Sequence, residues 1–410
     1  MRILLPYGNE TKLIQLSGHQ EIKIYDFPKI APFAEDERLV DALREPIGSP
    51  PLQMLVQNAK SACILVSDST RLVPTAKLVD QLMTKLKEGG MREEEITVVI
   101  ALGTHRRQTE REMIQIVGEK WMGKLNILNH SPLVEDAVLL GQTTRGTPVE
   151  VYRPVIEAEL RIATGNIEPH WLVGMSGGLK ALMPGVASER AIQAHHALSR
   201  EYQVQPGMVE NPLRDDLEEW QQFLPIHFLF NTVVNPQRQI MAAVSGDPLA
   251  AFRKGVELAK PYFFHPMPPP FEVTVASAGG TPKDMNLYQL IKSLQNASQI
   301  TKKGGVIVLV GECGEGFGHP AFQEWVERHQ PGEYEKVKPE FRLGWHKVEQ
   351  LEQLAKEYQI YLYSAMAHAF VDLLPITGLT HLNLQEFAWY RRARRVAVLP
   401  HASLTFFHNQ

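Results

Sequence analysis

Three histidines have side chains that could transfer protons or bind a metal. His105 lies in ALGTHRRQ, directly after an apolar segment, and His170 and His196 lie in the segment 165–199. Imidazole gains and loses a proton near neutral pH and is a common metal ligand. Three histidines with a water could hold zinc, although their spacing matches no zinc-hydrolase motif such as HExxH. The sequence therefore leaves acid–base catalysis, metal binding and ordinary loop histidines open.

A glycine-rich run leads into a lysine between two of these histidines. GMSGGLK places Gly177 and Gly178 shortly before Lys180. A nucleotide-binding P-loop needs glycine directly before the lysine and serine or threonine directly after it, whereas this chain has leucine and alanine there. The sequence therefore argues against an NTPase. The glycines still allow a ligand to approach the backbone beside the lysine.

Polar and charged residues follow another apolar segment, in SDSTRLVP. Asp68 and Thr70 could cap the amides of a helix, and the planar guanidinium of Arg71 could bind an anionic ligand. A plain helix cap followed by a surface arginine is the alternative.

The segment AGGTPKDMNLYQLIKSLQNA combines a predicted helix start with a possible anion site. Asp284 and Asn286 could begin the helix, and Tyr288 and Lys292 would share one of its faces, where they suit a carboxylate. A solvated lysine on an amphipathic helix is the alternative. The later glycine-rich run at 311–320 could be a ligand-facing turn or a tight connection.

Alternating apolar and amphipathic segments must position these residues. Strand candidates at 62–68, 95–103 and 160–166 each lead into one of the segments above, and a helical pattern separates the first two. Strand, helix and strand in this order predict a parallel sheet. In such sheets ligands bind at the carboxyl ends of the strands.

The alternation resumes after a proline-rich stretch at 261–271, which we predict to be a linker and hinge because prolines interrupt helices and central strands. We predict two α/β domains with mainly parallel sheets and an active-site cleft between them. Residues 1–262 would carry the histidines and the lysine, and residues 263–410 the Tyr288 helix. The later predicted elements are FEVTVASAG, NLYQLIKSLQNASQI, GGVIVLVGE, VEQLEQLAKEYQ, IYLYSA and RRVAVLP.

Composition and charge exclude several classes of protein. The 410 residues are 44% hydrophobic and 21% charged, as in ordinary globular proteins. Lys plus Arg is 42 and Asp plus Glu is 46, so a net charge of −4 gives no basis for broad nucleic-acid binding. Cys63 and Cys313 form no CxxC motif, and no apolar run has the roughly 20 residues of a membrane helix. We therefore expect a cytoplasmic protein without nucleic-acid or membrane partners.

Five ordered motifs together resemble the nickel-pincer lactate racemase family. They extend from about residue 68 to 292 and are DSTR, GTHR, EPHWLVGMSGGLKALMPGVAS, the histidine after it, and PKDMNLYQLIK. The resemblance implies a two-domain isomerase that racemises or epimerises a 2-hydroxy acid. It also implies a nickel-pincer nucleotide, which is a thiolated pyridinium mononucleotide with nickel in an S–C–S pincer. Maturation enzymes that make this cofactor would be partners.

The resemblance also implies how the cofactor is held. Lys180 would carry it through a covalent thioamide bond. His196 would be the remaining nickel ligand. Of the two adjacent histidines, His195 and His196, it is the one that keeps the family's spacing from the lysine. Side chains of adjacent helix residues point about 100° apart, so at most one of the two faces a given site. The other cofactor-binding residues would be Asp68, Thr70, Ser176, Gly177 and Gly178.

Two histidines remain for catalysis under the same resemblance. His105 or His170 would remove the hydroxyl proton as the C2 hydride passes to the cofactor, which gives a transient 2-keto acid. Hydride would return to the other face, and the opposite histidine would supply the proton. The substrate-binding residues would be Arg71, Trp171, Tyr288, Gln289 and Lys292.

Two departures from the family pattern bear on the substrate. Trp171 stands where a smaller aromatic residue is expected, and Met175 where an aromatic residue is also familiar. Malate, aryl-lactates or a sugar acid therefore stay open beside lactate. Two other classes of function are a histidine-metal-dependent hydrolase and a non-catalytic protein that binds an anionic ligand.

Overall fold

The computed structural model describes residues 1–16, 20–27, 35–337 and 339–408. Its backbone divides into two compact units. The central unit comprises residues 29–261, and the terminal unit comprises residues 1–28 with 262–410. Among the described helices, none combines the length and apolar character needed to span a membrane.

The strands follow one another along the chain in short segments. They are β1 (Arg2–Tyr7), β2 (Glu10–Gln15), β3 (Glu21–Ile24), β4 (Ala62–Ser67), β5 (Ile96–Ala101), β6 (Asn126–Asn129), β7 (Ala137–Gln142), β8 (Pro148–Tyr152), β9 (Leu160–Asn166), β10 (Pro169–His170), β11 (Gly174–Met175), β12 (Phe228–Val234), β13 (Ile240–Gly246), β14 (Phe264–Pro266), β15 (Phe271–Ser277), β16 (Thr301–Val310), β17 (Gln359–Tyr363), β18 (Thr377–Gly378), β19 (Arg395–Leu399) and β20 (Phe406–His408).

Helices separate most of these strands. They are α1 (Glu35–Arg44), α2 (Leu52–Val56), α3 (Thr75–Glu88), α4 (Glu110–Val117), α5 (Arg153–Glu157), α6 (Glu189–Ala197), α7 (Pro212–Phe223), α8 (Pro248–Phe263), α9 (Leu287–Ser298), α10 (Pro320–Arg328), α11 (Tyr334–Val337), α12 (Trp345–Glu357), α13 (His368–Val371) and α14 (Ala388–Arg392).

The central unit contains a six-stranded sheet with the order β13-β12-β9-β4-β5-β6. β12 and β13 pair antiparallel, and the other neighbours pair parallel. β9 and β12 are buried along their whole length, as is typical of strands covered on both faces. The carboxyl ends of β4, β5, β6, β9 and β12 therefore lie along one edge of the sheet. The strands predicted at 62–68, 95–103 and 160–166 are confirmed as β4, β5 and β9.

The terminal unit contains a second six-stranded sheet, which is parallel throughout and has the order β18-β17-β16-β15-β19-β3. The predicted domain of residues 1–262 differs from this arrangement at its beginning. β3 pairs with β19, with Ile22 opposite Val396, so residues 1–28 belong to the terminal unit. The reason is that β3 completes the sheet by covering the edge of β19, a pairing that local sequence does not reveal.

The proline-rich stretch is more ordered than a linker. α8 continues through Pro261, close to its carboxyl end, where a proline removes only one helical hydrogen bond. β14 then pairs with β20, and β15 begins at Phe271. Only residues 267–270 of the predicted linker lack regular structure.

Candidate active site

The Asp68 and His105 side chains meet at the carboxyl edge of the central sheet. Asp68 follows β4 and His105 follows β5, and because these strands are parallel neighbours their loops leave the sheet side by side. His105 Nδ1 lies 2.5 Å from Asp68 Oδ2. When Nδ1–H donates to the carboxylate, the lone pair of the ring is on Nε2.

Asp68 is buried, but its carboxylate stays negatively charged. The residue is 4% exposed, and burial alone would raise the pKa of its carboxyl. His105, Arg71 and the Thr70 hydroxyl outweigh burial and lower this pKa to about 2. Thr70 donates to Asp68 Oδ1 from its backbone N–H at 3.2 Å and from Oγ1 at 2.7 Å. Thr70, predicted to bind the cofactor, thus has its hydroxyl on Asp68.

Two amide side chains, which sequence analysis missed, hold the loops around this pair. Gln108 Oε1 accepts a hydrogen bond from Ser69 N–H at 3.2 Å. The backbone of Gln108 is bound in turn by Asn129, whose Oδ1 accepts at 2.9 Å and whose Nδ2 donates at 3.1 Å. Asn129 ends β6, so a polar residue at a strand end was the available signal.

His170 lies in a short hairpin beyond β9. β10 and β11 pair antiparallel with His170 opposite Gly174, and the half-buried Trp171 is in the turn. Leu172 N–H donates to His170 Nδ1 at 3.1 Å. Nδ1 therefore carries the lone pair and Nε2 the hydrogen, which is the opposite tautomer from that of His105.

The glycine-rich run, residues 174–180, is hydrogen-bonded to the end of β9 and to the loop that follows it. Ser176 Oγ donates to the carbonyl of Asn166 at 2.7 Å, and Ser176 N–H donates to the carbonyl of Glu168 at 2.7 Å. These two bonds hold the run against the carboxyl end of β9.

Gly177 and Gly178 occupy positions that no larger residue fits. Their φ angles are +83° and +60°, in the left-handed region. A Cβ would come within 2.8 Å of Asn231 Oδ1 at Gly177 and within 2.9 Å of the Phe252 ring at Gly178. Gly178 N–H donates to Asn231 Oδ1 at 2.8 Å. Within the described residues, the buried Asn166 Oδ1 and Asn231 Nδ2 have no hydrogen-bond partner, so this cradle retains capacity for a polar ligand.

Arg214 of α7 holds the glycine-rich run from the protein interior. Its guanidinium donates to the carbonyl of Met175 and, at 3.5 Å, to that of Gly177. The side chain lies over the Phe252 ring and is fully buried. Burial lowers the pKa of Arg214 to about 10, and Glu218 at 3.8 Å opposes this effect. No motif in the sequence pointed to Arg214.

Lys180 follows in a short turn at residues 178–181 and is half-buried. Its carbonyl accepts from Gly185 N–H at 3.1 Å, and the carbonyl of Gly185 accepts from Gly103 N–H at 3.0 Å. Gly103 lies two residues before His105. The segment after Lys180 is therefore bonded directly to the loop that carries His105.

The two adjacent histidines of α6 make different contacts. His195 is 1% exposed, and its Nε2–H donates to the carbonyl of Leu213 at 2.8 Å. Burial lowers the pKa of His195, and the charge of Lys180 lowers it further. His196 is half-buried and donates from Nδ1–H to the carbonyl of Ile192 at 2.8 Å, which puts the ring lone pair on Nε2.

A metal held by three ligands needs three suitable side chains close together. Across the described ranges, no three side chains of His, Cys, Asp or Glu are grouped so that they could hold a metal ion. The three-ligand site that a histidine-metal hydrolase requires is thus not formed by these residues.

The predicted carboxylate-binding residues lie in the terminal unit, on α9. Asn286 caps this helix, with Oδ1 accepting from Gln289 N–H at 3.1 Å. Lys292 Nζ donates to Gln289 Oε1 at 2.6 Å, and Tyr288 is half-buried. Asp284 does not cap the helix as predicted, because its Oδ2 accepts from backbone amides of other loops, among them Gly8 N–H at 2.7 Å.

The glycine-rich run at 311–320 supports the start of α9. Cys313 N–H donates to the carbonyl of Asp284 at 2.8 Å. The N–H groups of Leu287 and Tyr288 donate to carbonyls of the run at 2.9 and 3.1 Å. Of the two roles left open by the sequence, these bonds favour a connection that positions Tyr288.

Comparison with known proteins gives matches over both units. Residues 7–206 match the lactate racemase N-terminal domain, and residues 268–347 match the lactate racemase C-terminal domain. The chain is 31% identical to lactate racemase of Thermoanaerobacterium thermosaccharolyticum, over 72% of this chain and 70% of that protein. The chain belongs to the lactate racemase family. It is also 30% identical to lactate racemase of Lactiplantibacillus plantarum, over 70% of this chain and 69% of that protein.

Solved structures extend this result to the whole fold. The lactate racemase apoprotein of T. thermosaccharolyticum superposes with a TM-score of 0.86 at 25% identity, over 100% of both chains. A Thermotoga maritima protein shares the fold, with a TM-score of 0.72 at 18% identity over 92% of this chain and 99% of that one. The predicted α/β class is confirmed, and this lactate racemase family member is an isomerase of the racemase type.

The family match and the observed contacts cover different parts of the site. The predicted residues of the central unit lie within 7–206, and those of α9 lie within 268–347. Arg214 and Asn231, which hold the glycine-rich run, lie outside both matched segments. In this lactate racemase family member, Arg214 and Asn231 are therefore identified by their contacts in the folded chain and not by the family match.

Proposed function

We propose that this protein racemises or epimerises a 2-hydroxy acid at C2, with a nickel-pincer nucleotide attached to Lys180 as cofactor. The observation that carries the proposal is the pairing of His105 with Asp68, because a buried carboxylate there leaves Nε2 of a strand-end imidazole as a proton acceptor. Two relatives named lactate racemase support a lactate-type substrate.

The residues around Lys180 suit this cofactor. Gly177 and Gly178 let the run pack closely against Asn231 and Phe252, and the partnerless atoms Asn166 Oδ1 and Asn231 Nδ2 could accept and donate hydrogen bonds to a ligand. The His196 tautomer directs a lone pair from Nε2, as a nickel ligand requires. When bound, the cofactor would accept the C2 hydride and return it to either face of the carbon.

His105 is the first acid–base group of the proposal. Its Nε2 accepts the proton of the substrate hydroxyl, and Asp68 holds the ring in that tautomer through Nδ1. The imidazolium that results is stabilised by the Asp68 carboxylate, which stays ionised because its pKa is lowered to about 2.

His170 is the second acid–base group. In the tautomer imposed by Leu172 N–H, it donates from Nε2–H towards an oxygen atom, whereas His105 accepts. An imidazolium has no acceptor nitrogen, so full protonation of His170 requires breaking the bond to Leu172. His170 therefore supplies a proton to the C2 oxygen only as an imidazolium, after the bond to Leu172 N–H has broken, because a neutral ring that lost its Nε2 proton would become an imidazolate.

We infer that Tyr288 and Lys292 bind the C1 carboxylate, with the Lys292 ammonium oriented by its 2.6 Å bond to Gln289. Arg71 would bind the C2 oxygen, since a guanidinium donates several hydrogen bonds in a fixed geometry. Trp171 would line the substrate pocket beside His170. The proposal also includes the maturation enzymes that make the cofactor as partners.

The experiment is co-expression of the full chain with those maturation enzymes and nickel. We expect a mass adduct on the peptide that contains Lys180, nickel in the purified protein, and racemisation of at least one enantiopure 2-hydroxy acid by chiral chromatography. A Lys180→Ala variant is the control and should lack all three.

Lactate racemase of T. thermosaccharolyticum, treated in parallel, shows whether maturation worked. If that enzyme carries the adduct and this chain does not, the proposal is wrong. Zinc- or manganese-dependent hydrolysis would then favour the metal hydrolase.

A further inference from the structure

Lys347 is a buried lysine that no acidic side chain neutralises. It lies in the first turn of α12 and is 6% exposed. Its Nζ donates to Gln350 Oε1 at 2.8 Å, and no carboxylate of the described residues comes within ion-pair distance. Buried charges in proteins are usually paired, so this ammonium group lacks the anion that such a position normally supplies.

The ammonium group lies beside Tyr288, one of the residues proposed to bind substrate. Lys347 Nζ is 5.5 Å from the centre of the Tyr288 ring. The same ring stacks on His319 at 5.6 Å and meets the edge of His346 at 5.9 Å. Aromatic and cationic groups from α9, α12 and the loop before α10 therefore converge on one side chain.

The position of Lys347 at the start of α12 favours an anion, and the lysine keeps most of its positive charge at pH 7. The first turn of a helix carries partial positive charge, and α12 has 13 residues. Burial lowers the pKa of Lys347 to about 8. About nine-tenths of the lysine is nevertheless protonated at pH 7, since the pKa lies one unit higher. A bound carboxylate would remove the cost of this buried charge.

An anion at Lys347 would be distinct from the one proposed at Lys292. Lys292 is oriented by Gln289 on α9, whereas Lys347 lies on α12, and no charged neighbour perturbs the pKa of Lys347. Since the C1 carboxylate is proposed to bind Lys292, an anion that binds Lys347 is a second group.

We propose that Lys347 binds a second carboxylate, carried on the side chain of the 2-hydroxy acid, so that the substrate is a 2-hydroxy dicarboxylic acid of the malate type. This inference rests on the proposed function and narrows its substrate class. It makes Lys347 a specificity-determining residue, with no part in proton transfer.

The experiment compares three enantiopure substrates, malate, lactate and phenyllactate, on the cofactor-loaded full chain at pH 7. We expect kcat/KM for malate to exceed that for lactate and phenyllactate by at least about tenfold, the factor that one well-placed charge pair contributes. Lys347→Met keeps the length of the side chain and removes its charge. It should raise KM for malate by about tenfold or more and leave kcat and the lactate constants unchanged. Lys356→Met, on the exposed side of α12, is the matched control.

The pH dependence provides a second measurement. Deprotonation of Lys347 above about pH 8 should raise the wild-type KM for malate but not for lactate. The Lys347→Met variant should not show this rise.

The possible failures can be told apart. A preference for lactate or phenyllactate, or an unchanged malate KM in Lys347→Met, overturns the role of Lys347 and leaves the racemase proposal standing. If the protein converts none of the 2-hydroxy acids, the racemase proposal is wrong. Calorimetric titration of the same protein with malate and lactate then decides the site. Tighter binding of malate that Lys347→Met abolishes supports the carboxylate site, and equal binding overturns it.

Discussion

His105 Nδ1 and Asp68 Oδ2 lie 2.5 Å apart, although 37 residues separate them in the chain. The contact exists because β4 and β5 are parallel neighbours and both end at the same edge of the sheet. A buried carboxylate in this position fixes the tautomer and orientation of the imidazole and stabilises its protonated form. Asp68 is therefore more than a residue that lines the site, since it determines which nitrogen of His105 can accept a proton.

Replacing Asp68 by asparagine should impair turnover without impairing cofactor attachment. The amide lacks the negative charge that stabilises the His105 imidazolium, and it can donate to Nδ1 and so favour the wrong tautomer. We expect kcat to fall by on the order of 10²- to 10⁴-fold, with the Lys180 adduct retained. Racemisation kinetics and peptide mass analysis of the same preparation check both statements.

A double variant tests whether Asp68 acts through His105. If it does, Asp68→Asn combined with His105→Gln should be no slower than His105→Gln alone, because residues that act as a unit are non-additive. Additive losses in the double variant would mean that Asp68 contributes by another route.

The sequence predicted most of what the backbone does at this site. Continuous apolar runs that end in small or polar residues identified β4, β5 and β9, and the order of segments indicated that Asp68 and His105 end parallel strands. It did not reveal the contact between the two side chains, because register and loop conformation decide that distance. The role of Thr70 was missed for the same reason.

Other features depend on long-range packing and leave no local signal. Arg214 stands in PLRDDLEEWQQF, where nothing in its acidic and polar neighbours marks it as buried, yet in α7 it is fully buried. Residues 1–28 join the terminal unit because β3 pairs with β19 and because Gly8 N–H, in the turn after β1, donates to Asp284. Neither outcome follows from composition or periodicity, since both depend on which surfaces meet in the folded chain.

Removal of the Arg214 guanidinium should reduce modification of Lys180. The Arg214→Met variant leaves the carbonyl of Met175 without its donor and that of Gly177 with only the Lys180 N–H at 3.3 Å. An unsatisfied buried acceptor costs roughly 1–3 kcal/mol, and its loss of a partner loosens the run. We expect a smaller fraction of adduct on Lys180 in the folded, gel-filtered protein, and partial recovery in Arg214→Lys. Peptide mass analysis measures the fraction.

Arg253 offers a matched control for this effect. It contacts the same Phe252 ring and pairs with Glu218 at 2.8 Å, but it makes no hydrogen bond to the run. Arg253→Met should therefore retain the adduct. An equal loss in both variants would show that destabilisation, and not the position of the run, limits modification.

Replacing one or the other of the two histidines of α6 should affect the nickel content of the protein differently. His196→Ala removes the proposed ligand, so purified protein should carry the adduct on Lys180 with less nickel per chain. His195→Leu should keep its nickel but lose roughly 1–3 kcal/mol of unfolding free energy, because the side-chain hydrogen bond to the buried carbonyl of Leu213 is removed. Elemental analysis and denaturant unfolding distinguish the two effects. Nickel loss in His195→Leu alone would reverse the assignment within the doublet.

His130 should make the stability of the central unit depend on pH. It follows β6, is fully buried, and meets the edge of the Tyr152 ring at 5.4 Å. Burial lowers its pKa to about 4, so the folded protein keeps the ring neutral while the unfolded chain binds a proton near its ordinary pKa of 6.5. The stability that this neutral ring contributes is complete above pH 6.5 and is lost as the pH falls from there towards 4.

We expect the free energy of unfolding to fall by about 2 kcal/mol between pH 7 and pH 5 because of His130. His130→Gln should lose correspondingly less over that range in urea unfolding, and His381→Gln, at an exposed position, should behave like wild type. Parallel pH profiles for wild type and His130→Gln would exclude this histidine as the source.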